Sequence, residues 1–111
     1  MKTTSLLALR LLTTSVLMLG VSATAHAQEK ATQLHNRATA AMCANCHGTD
    51  GRTIEGSAIP SLVGMPKDYM VLQMKAFKDG SRPATVMHQI TKGLTDAQID
   101  TISSYYAAIK R

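Results

Sequence analysis

The chain has 111 residues, 12 Lys and Arg against 7 Asp and Glu for a formal net charge of +5, two cysteines, no tryptophan, and three tyrosines and one phenylalanine as its aromatic residues. That length allows one small domain and excludes a large enzyme with its own catalytic cleft. A domain so small buries a limited share of its surface, so a disulfide, a metal or a cofactor is expected to add stability, while the basic excess by itself suggests an acidic partner, a membrane surface or nucleic acid.

Residues 1–27 have the pattern of a secretory signal. Lys2 gives a positive start, Leu6 to Ala25 is mostly apolar with Arg10 as its one charge, and Ala25-His26-Ala27 is a small-x-small cleavage site, with Ala23-Thr24-Ala25 as a competitor. The alternative is an uncleaved anchor. The uninterrupted run from Leu11 to Ala25 contains Thr13, Thr14, Ser15, Ser22 and Thr24, and it falls short of the roughly 20 residues a span requires. Cleavage after Ala27 leaves residues 28–111 as the mature domain, with no stable membrane insertion and a bacterial periplasmic location. Lys2 and Arg10 leave with the signal, so ten basic and seven acidic residues remain, net +3.

Thr32 to Cys43 reads as a first helix, with Leu34, Ala38, Ala41 and Met42 near one face and small alanines that let another helix approach. The only cysteines follow in Cys43-Ala44-Asn45-Cys46-His47. A disulfide across two residues would staple almost nothing. A dithiol redox motif needs alternating strands and helices around it, and no strand pattern is present. A zinc site needs a fourth ligand at matching spacing. The fourth reading is attachment of a c-type haem, and the adjacent His47 selects it. Two thiols about one helical turn apart on one side of the chain add to two vinyl groups of one haem, and the next residue brings an imidazole under the iron. One such motif means one haem, and its two ionised propionates take the net charge to about +1. General affinity for nucleic acid or an acidic membrane then loses its basis.

Gly48 to Gly64 is a loop punctuated by Gly51, Gly56 and Pro60, and a loop of that length is expected to wrap something. Pro66 to Phe77 is a second helix, with Pro66 and Asp68 suited to its start and Gly80 to its stop. Tyr69, Leu72 and Ala76 form one stripe and Met70, Met74 and Phe77 another, so this helix should be buried on two sides, with Lys75 and Lys78 solvated. Thr95-Asp96-Ala97-Gln98 is a capping box opening the last helix, whose Ile99, Ile102, Tyr106 and Ile109 recur at helical spacing and face the core.

A sixth iron ligand decides the function: a thioether raises the potential and closes the site, a second imidazole lowers the potential, and an open position admits gas or peroxide chemistry. The candidates are Met42, Met65, Met70, Met74, Met87, His35 and His88. Met42 is too close to the attachment site to cross the haem, and Met65, Met70 and Met74 lie at or within the second helix. Met87 sits in a Pro-containing segment between helices, where a loop carries it to the distal face; His88 is the runner-up by one residue of register.

These stretches together resemble a small class I cytochrome c. Cys43 to Gly51 is similar to that family's haem motif and following loop. Asp68-Tyr69-Met70, Phe77-Lys78-Asp79-Gly80, Arg82 to Met87 and Lys92 to Asp96 resemble c4 and c553-like cytochromes and the haem subunit of flavocytochrome c sulfide dehydrogenase. The resemblance implies an all-α fold of four to five short helices around one covalent haem c, with the first helix crossing the last. It implies His47 and Met87 as axial ligands, the Pro60 carbonyl as acceptor for His47 Nδ1–H, and Leu62 on the proximal haem face. Thr85 would orient the sulfur and Arg82 would meet a propionate. The implied function is periplasmic single-electron transfer between redox partner proteins, or service as the haem subunit of a dehydrogenase such as a flavoprotein oxidising sulfide; a catalytic or ligand-sensing haem is the third possibility.

Overall fold

A computed structural model describes the backbone from Lys2 to Arg111 and the side chains from Thr24 onward. Most of the expected export signal, residues 1–27, therefore lies outside the residues whose side chains are described. The chain divides into two units, residues 1–34 and residues 35–111. In the first, the side chains from Thr24 to Leu34 are exposed, and one-turn contacts along the helix include Thr32 Oγ1 donating to the Gln28 carbonyl at 3.0 Å.

Four α-helices follow in order: α1 (Lys2–His47), α2 (Lys67–Asp79), α3 (Met87–Lys92) and α4 (Asp96–Ala108), with a short 3₁₀ turn at Thr49–Gly51 and no strand among the described residues. The expected first helix ended at Cys43, but α1 continues to His47. Nothing between Ala44 and His47 breaks a helix, and Gly48 N–H still donates to the Ala44 carbonyl at 3.0 Å. Gly48 is the first residue able to leave, with φ +80; a Cβ there would lie 2.0 Å from the Arg52 carbonyl oxygen, so only glycine fits the exit.

Helix α2 begins after Pro66, runs to Asp79, two residues past the expected Phe77, and stops at left-handed Gly80, the expected stop. The capping box opens α4, with Thr95 Oγ1 accepting from Gln98 N–H at 3.2 Å and Gln98 Oε1 accepting from Thr95 N–H at 2.9 Å. Met87 does not lie in a loop. It is the first residue of α3, where the Thr91 hydroxyl reaches back to its carbonyl at 2.8 Å and supports a turn that the sequence pattern did not indicate.

The core of the second unit gathers Ala40 from α1, Met70 and Met74 from α2, Leu94, and Ile99, Ile102 and Tyr106 from α4. Burying each large side chain is worth about 1.5–3 kcal/mol. Helix α2 packs on both α3 and α4. Lys78 is not simply solvated: its Nζ donates to the Leu94 carbonyl at 2.6 Å and meets Asp96 at 3.3 Å, while Lys75 meets the same carboxylate at 3.4 Å. Ile109 falls just past the end of α4 and packs against the core from there.

Tyr106 ties three segments together. It is 1% exposed, its hydroxyl donates to the Ala40 carbonyl at 2.8 Å, its own carbonyl accepts from Gly64 N–H at 2.9 Å, and its ring covers Gly51. Burial and the loss of solvation push its phenol up to about 12, so the hydroxyl remains a donor throughout the physiological range. Tyr106→Phe removes this second bond to the Ala40 carbonyl, which keeps its helical partner within α1, and is expected to cost about 1 kcal/mol, lowering the thermal midpoint by roughly 4–8 °C. Gly51→Ala, at φ +74 with a Cβ 2.7 Å from the Tyr106 ring, should cost more, about 2–4 kcal/mol. Thermal unfolding followed by circular dichroism ranks the two.

Candidate functional site

The last two turns of α1 carry Cys43, Cys46 and His47. Residues three and four apart share a helix face, so both thiols and the imidazole leave the helix on one side. Both cysteines are free thiols. Cys43 is half-buried against the core, and burial, with Cys46 nearby as the smaller cause, pushes its thiol up; Cys46 is exposed.

His47 is 8% exposed, and its Nδ1 lies 2.7 Å from the Pro60 carbonyl oxygen. A carbonyl can only accept, so Nδ1 carries the hydrogen and donates it. That fixes the tautomer and leaves the lone pair of the neutral ring on Nε2. An imidazole whose other ring N–H is held by a carbonyl in this way is oriented as a ready metal ligand.

The loop from Gly48 to Pro66 places Pro60 there. The Gly51 carbonyl accepts from Ser61 Oγ at 2.8 Å, from Leu62 N–H at 2.8 Å and, more weakly, from Val63 N–H at 3.3 Å. Leu62 is half-buried and packs on the core cluster; Pro60 is exposed. Among the described residues no group of three or more His, Cys, Asp and Glu side chains is assembled to hold a metal ion.

Met87, at the start of α3, is half-buried, and Thr85 before it is exposed. His88 turns elsewhere. It lines a cleft of about 310 Å³ with Phe77, Lys78, Arg82, Pro83 and Lys92, and its Nδ1 is buried without a hydrogen-bond partner. His47 does not line that cleft. Arg82 stacks on Phe77, with 4.5 Å from guanidinium carbon to ring centroid, and donates to Gln73 Oε1. Tyr69 and Leu72, on the face of α2 opposite Met70 and Met74, are 49% and 63% exposed. Ile59 on the loop and Val86 and Ile90 around α3 add further exposed apolar surface.

Paired thiols one turn apart, an imidazole with Nδ1 occupied and Nε2 free, a thioether on a separate element, and apolar surface on the loop, α2 and α3 fit a covalently held haem. The sequence pattern alone did not single out Gly51 and Ser61 in this arrangement. The only local signal was the turn-forming Asp50-Gly51 pair, in which Asp50 adopts φ 54.

The family model described as Cytochrome c matches residues 36–109. The chain is 41% identical over 69 residues to the cytochrome subunit of sulfide dehydrogenase of Chlorobaculum tepidum, covering 62% of this chain and 61% of that protein. It is 37% identical over 71 residues to the thiosulfate dehydrogenase electron acceptor of Thiomonas intermedia, covering 64% and 33%. It is 35% identical over 101 residues to cytochrome c4 of Pseudomonas aeruginosa, covering 91% and 49%. The chain thus spans less than two thirds of the length of each of these relatives.

The unequal burial of the two thiols has a direct readout. In protein without bound cofactor, iodoacetamide at pH 8 should alkylate Cys46 about tenfold faster than Cys43, because the thiolate is the nucleophile and burial suppresses it at Cys43. Timed quenching and peptide mass mapping measure the ratio; equal rates would place Cys43 off the core.

Proposed function

The chain belongs to the cytochrome c family, and on that premise we propose that it is an exported single-electron carrier. Its haem c is attached through Cys43 and Cys46, and the iron is held by His47 and Met87. The observation that carries this reading is the hydrogen bond from His47 Nδ1–H to the Pro60 carbonyl at 2.7 Å, which leaves Nε2 as the free donor beside the two thiols. The bound haem supplies reversible one-electron chemistry. The protein's own part is to hold and tune. Cys43 and Cys46 tether the group at the edge of the core. Pro60 sets the orientation and basicity of His47. Leu62 lends apolar contact from the loop that carries Pro60.

Met87 is preferred to His88 because successive helical residues point about 100° apart and His88 is turned into the cleft with Phe77 and Arg82. With an imidazole and a thioether on the iron, no coordination position remains for a substrate, so the chain passes electrons and performs no bond chemistry.

Residues 1–27 act in this reading as an export signal cleaved after Ala27, which delivers the domain to the periplasm. Among the described residues no helix is long and apolar enough to cross a membrane. The donor is a dehydrogenase acting on an inorganic sulfur compound, supported by relatives named as the electron acceptor of a thiosulfate dehydrogenase and as the cytochrome subunit of a sulfide dehydrogenase. The second of those names also favours an alternative, in which this chain is the fixed haem subunit of such an enzyme, with a flavoprotein as its partner. Gel filtration of the native protein separates the two: elution at the size of the free chain supports the carrier, and a stable larger complex supports the subunit.

Met87→Ala is expected to abolish the sulfur-to-iron charge-transfer band of the oxidised protein, lower the midpoint potential and open the ferrous form to carbon monoxide at neutral pH, while His88→Ala retains the band. A band that persists in Met87→Ala would exclude that ligand. Intact-mass measurement of the periplasmic protein should give a chain beginning at Gln28 with one haem added; a chain still carrying Met1 would refute export by cleavage.

A further inference from the structure

Pro60 presents its carbonyl to His47 from an exposed position on an irregular loop, and something must hold it there. The proline ring locks φ, so the direction of its carbonyl depends on rotation about the bond to the carbonyl carbon, which is the same as where Ser61 is held. Ser61 is held firmly. Its hydroxyl donates to the Gly51 carbonyl at 2.8 Å, and the next amide, Leu62 N–H, donates to the same oxygen at 2.8 Å. Those two bonds take both lone pairs of the acceptor, and Val63 N–H at 3.3 Å adds a weaker third.

The acceptor is itself immobilised. Gly51 is buried, its N–H donates to the Gly48 carbonyl at 2.8 Å, and the Tyr106 ring lies where its side chain would be. Gly48 directly follows His47. The contacts therefore close a ring, from His47 through Gly48, Gly51, Ser61 and Pro60 back to His47.

We propose that Ser61 is a positioning residue for the iron-bound imidazole: its hydroxyl fixes the Pro60 carbonyl on His47 Nδ1–H and thereby tunes the reduction potential. This rests on the reading of His47 as an axial ligand. A firm Nδ1–H···O bond pushes electron density onto the imidazole and stabilises ferric iron. Without the hydroxyl the carbonyl can swing, the bond weakens and the ferrous form gains.

The test uses the haem-loaded protein with Ser61→Ala, together with Ser61→Thr and Ser61→Val, two side chains of the same shape that differ in the hydroxyl. Ser61→Ala and Ser61→Val should move the one-electron reduction equilibrium about threefold toward the ferrous form, about 28 mV at 59 mV per tenfold. They should also speed exchange of the His47 Nδ1 proton about tenfold, as a loosened hydrogen bond requires. Ser61→Thr should stay with the wild type in both. If the thermal midpoint falls while potential and exchange agree between wild type and Ser61→Ala, and between Ser61→Thr and Ser61→Val, Ser61 is a structural turn residue and the proposal fails. The underlying ligand reading is judged separately, in the wild type before any substitution. A His47 Nδ1 proton that is slow to exchange and carries the large NMR shift of a ligand ring supports that reading, and its absence overturns it together with the role of Ser61.

Discussion

The hydrogen bond between His47 Nδ1 and the Pro60 carbonyl sets the terms for most of this domain, because it must join the end of a helix to the middle of a loop 13 residues further on. A helix terminus is well placed by its own ladder. A loop is not: its backbone groups have no regular partners, and holding it in one shape costs about 1–2 kcal/mol per residue in conformational entropy. The structure answers with a set of specific anchors. The Gly51 carbonyl collects the segment from Ser61 to Val63, and Tyr106 receives Gly64 N–H. Arg111 Nε donates to the Val63 carbonyl at 3.3 Å, and Arg52 donates to the Lys110 carbonyl. Every anchor beyond Gly51 lies in α4 or just past it, so the packing of α4 on α1 through Tyr106 and Ala40 also positions the loop.

Helix α2 shows the same division of labour on one element. Met70 and Met74 enter the core, and Met74 sulfur accepts from the Ser103 hydroxyl at 3.9 Å, while Tyr69 and Leu72 remain at the surface on the opposite side. An apolar residue at the surface is ordinary; a helix with one apolar stripe in the core and another outside it is suited to pack between protein and a flat apolar group. The basic residues of α2 are directed away from both tasks. Lys67 meets Asp100 at 2.7 Å, and Lys75 and Lys78 share Asp96. Hydrogen bonds from Lys78 first, and then from Lys75, hold the Asp96 carboxyl below its usual range. Because that value is depressed in the folded state, the associated stability is present above the unfolded carboxylate value and is lost as pH falls through the folded one. Exposed pairs of this kind contribute little each; they bridge α2 to the first turns of α4, whose packing is carried by the buried core.

Much of the architecture could be read from local pattern. The 3.6-residue recurrence of Ile99, Ile102 and Tyr106 and the Thr95–Gln98 box are short-range features, and both are formed in the structure. Helix α3 was not legible, because six residues are too few to show a period and its first turn depends on the Thr91 hydroxyl returning to Met87. The end of α1 was misplaced for a related reason: Cys43 reads as the start of a motif, whereas the backbone stops only where Gly48 can take positive φ. The solvated reading of Lys78 failed because its partners, the Leu94 carbonyl and Asp96, are 16 and 18 residues away.

The sequence by itself determined the chemistry. Cys43, Cys46 and His47 stand at a spacing that one helix turns to one side, so the cofactor class follows from covalent geometry that needs no tertiary context. Tertiary structure alone decided how firmly that chemistry is held. Which carbonyl gathers the loop and which ring covers Gly51 depend on contacts between residues far apart in the chain. No local propensity encodes such contacts, because their free energy exists only once the core has brought the partners together.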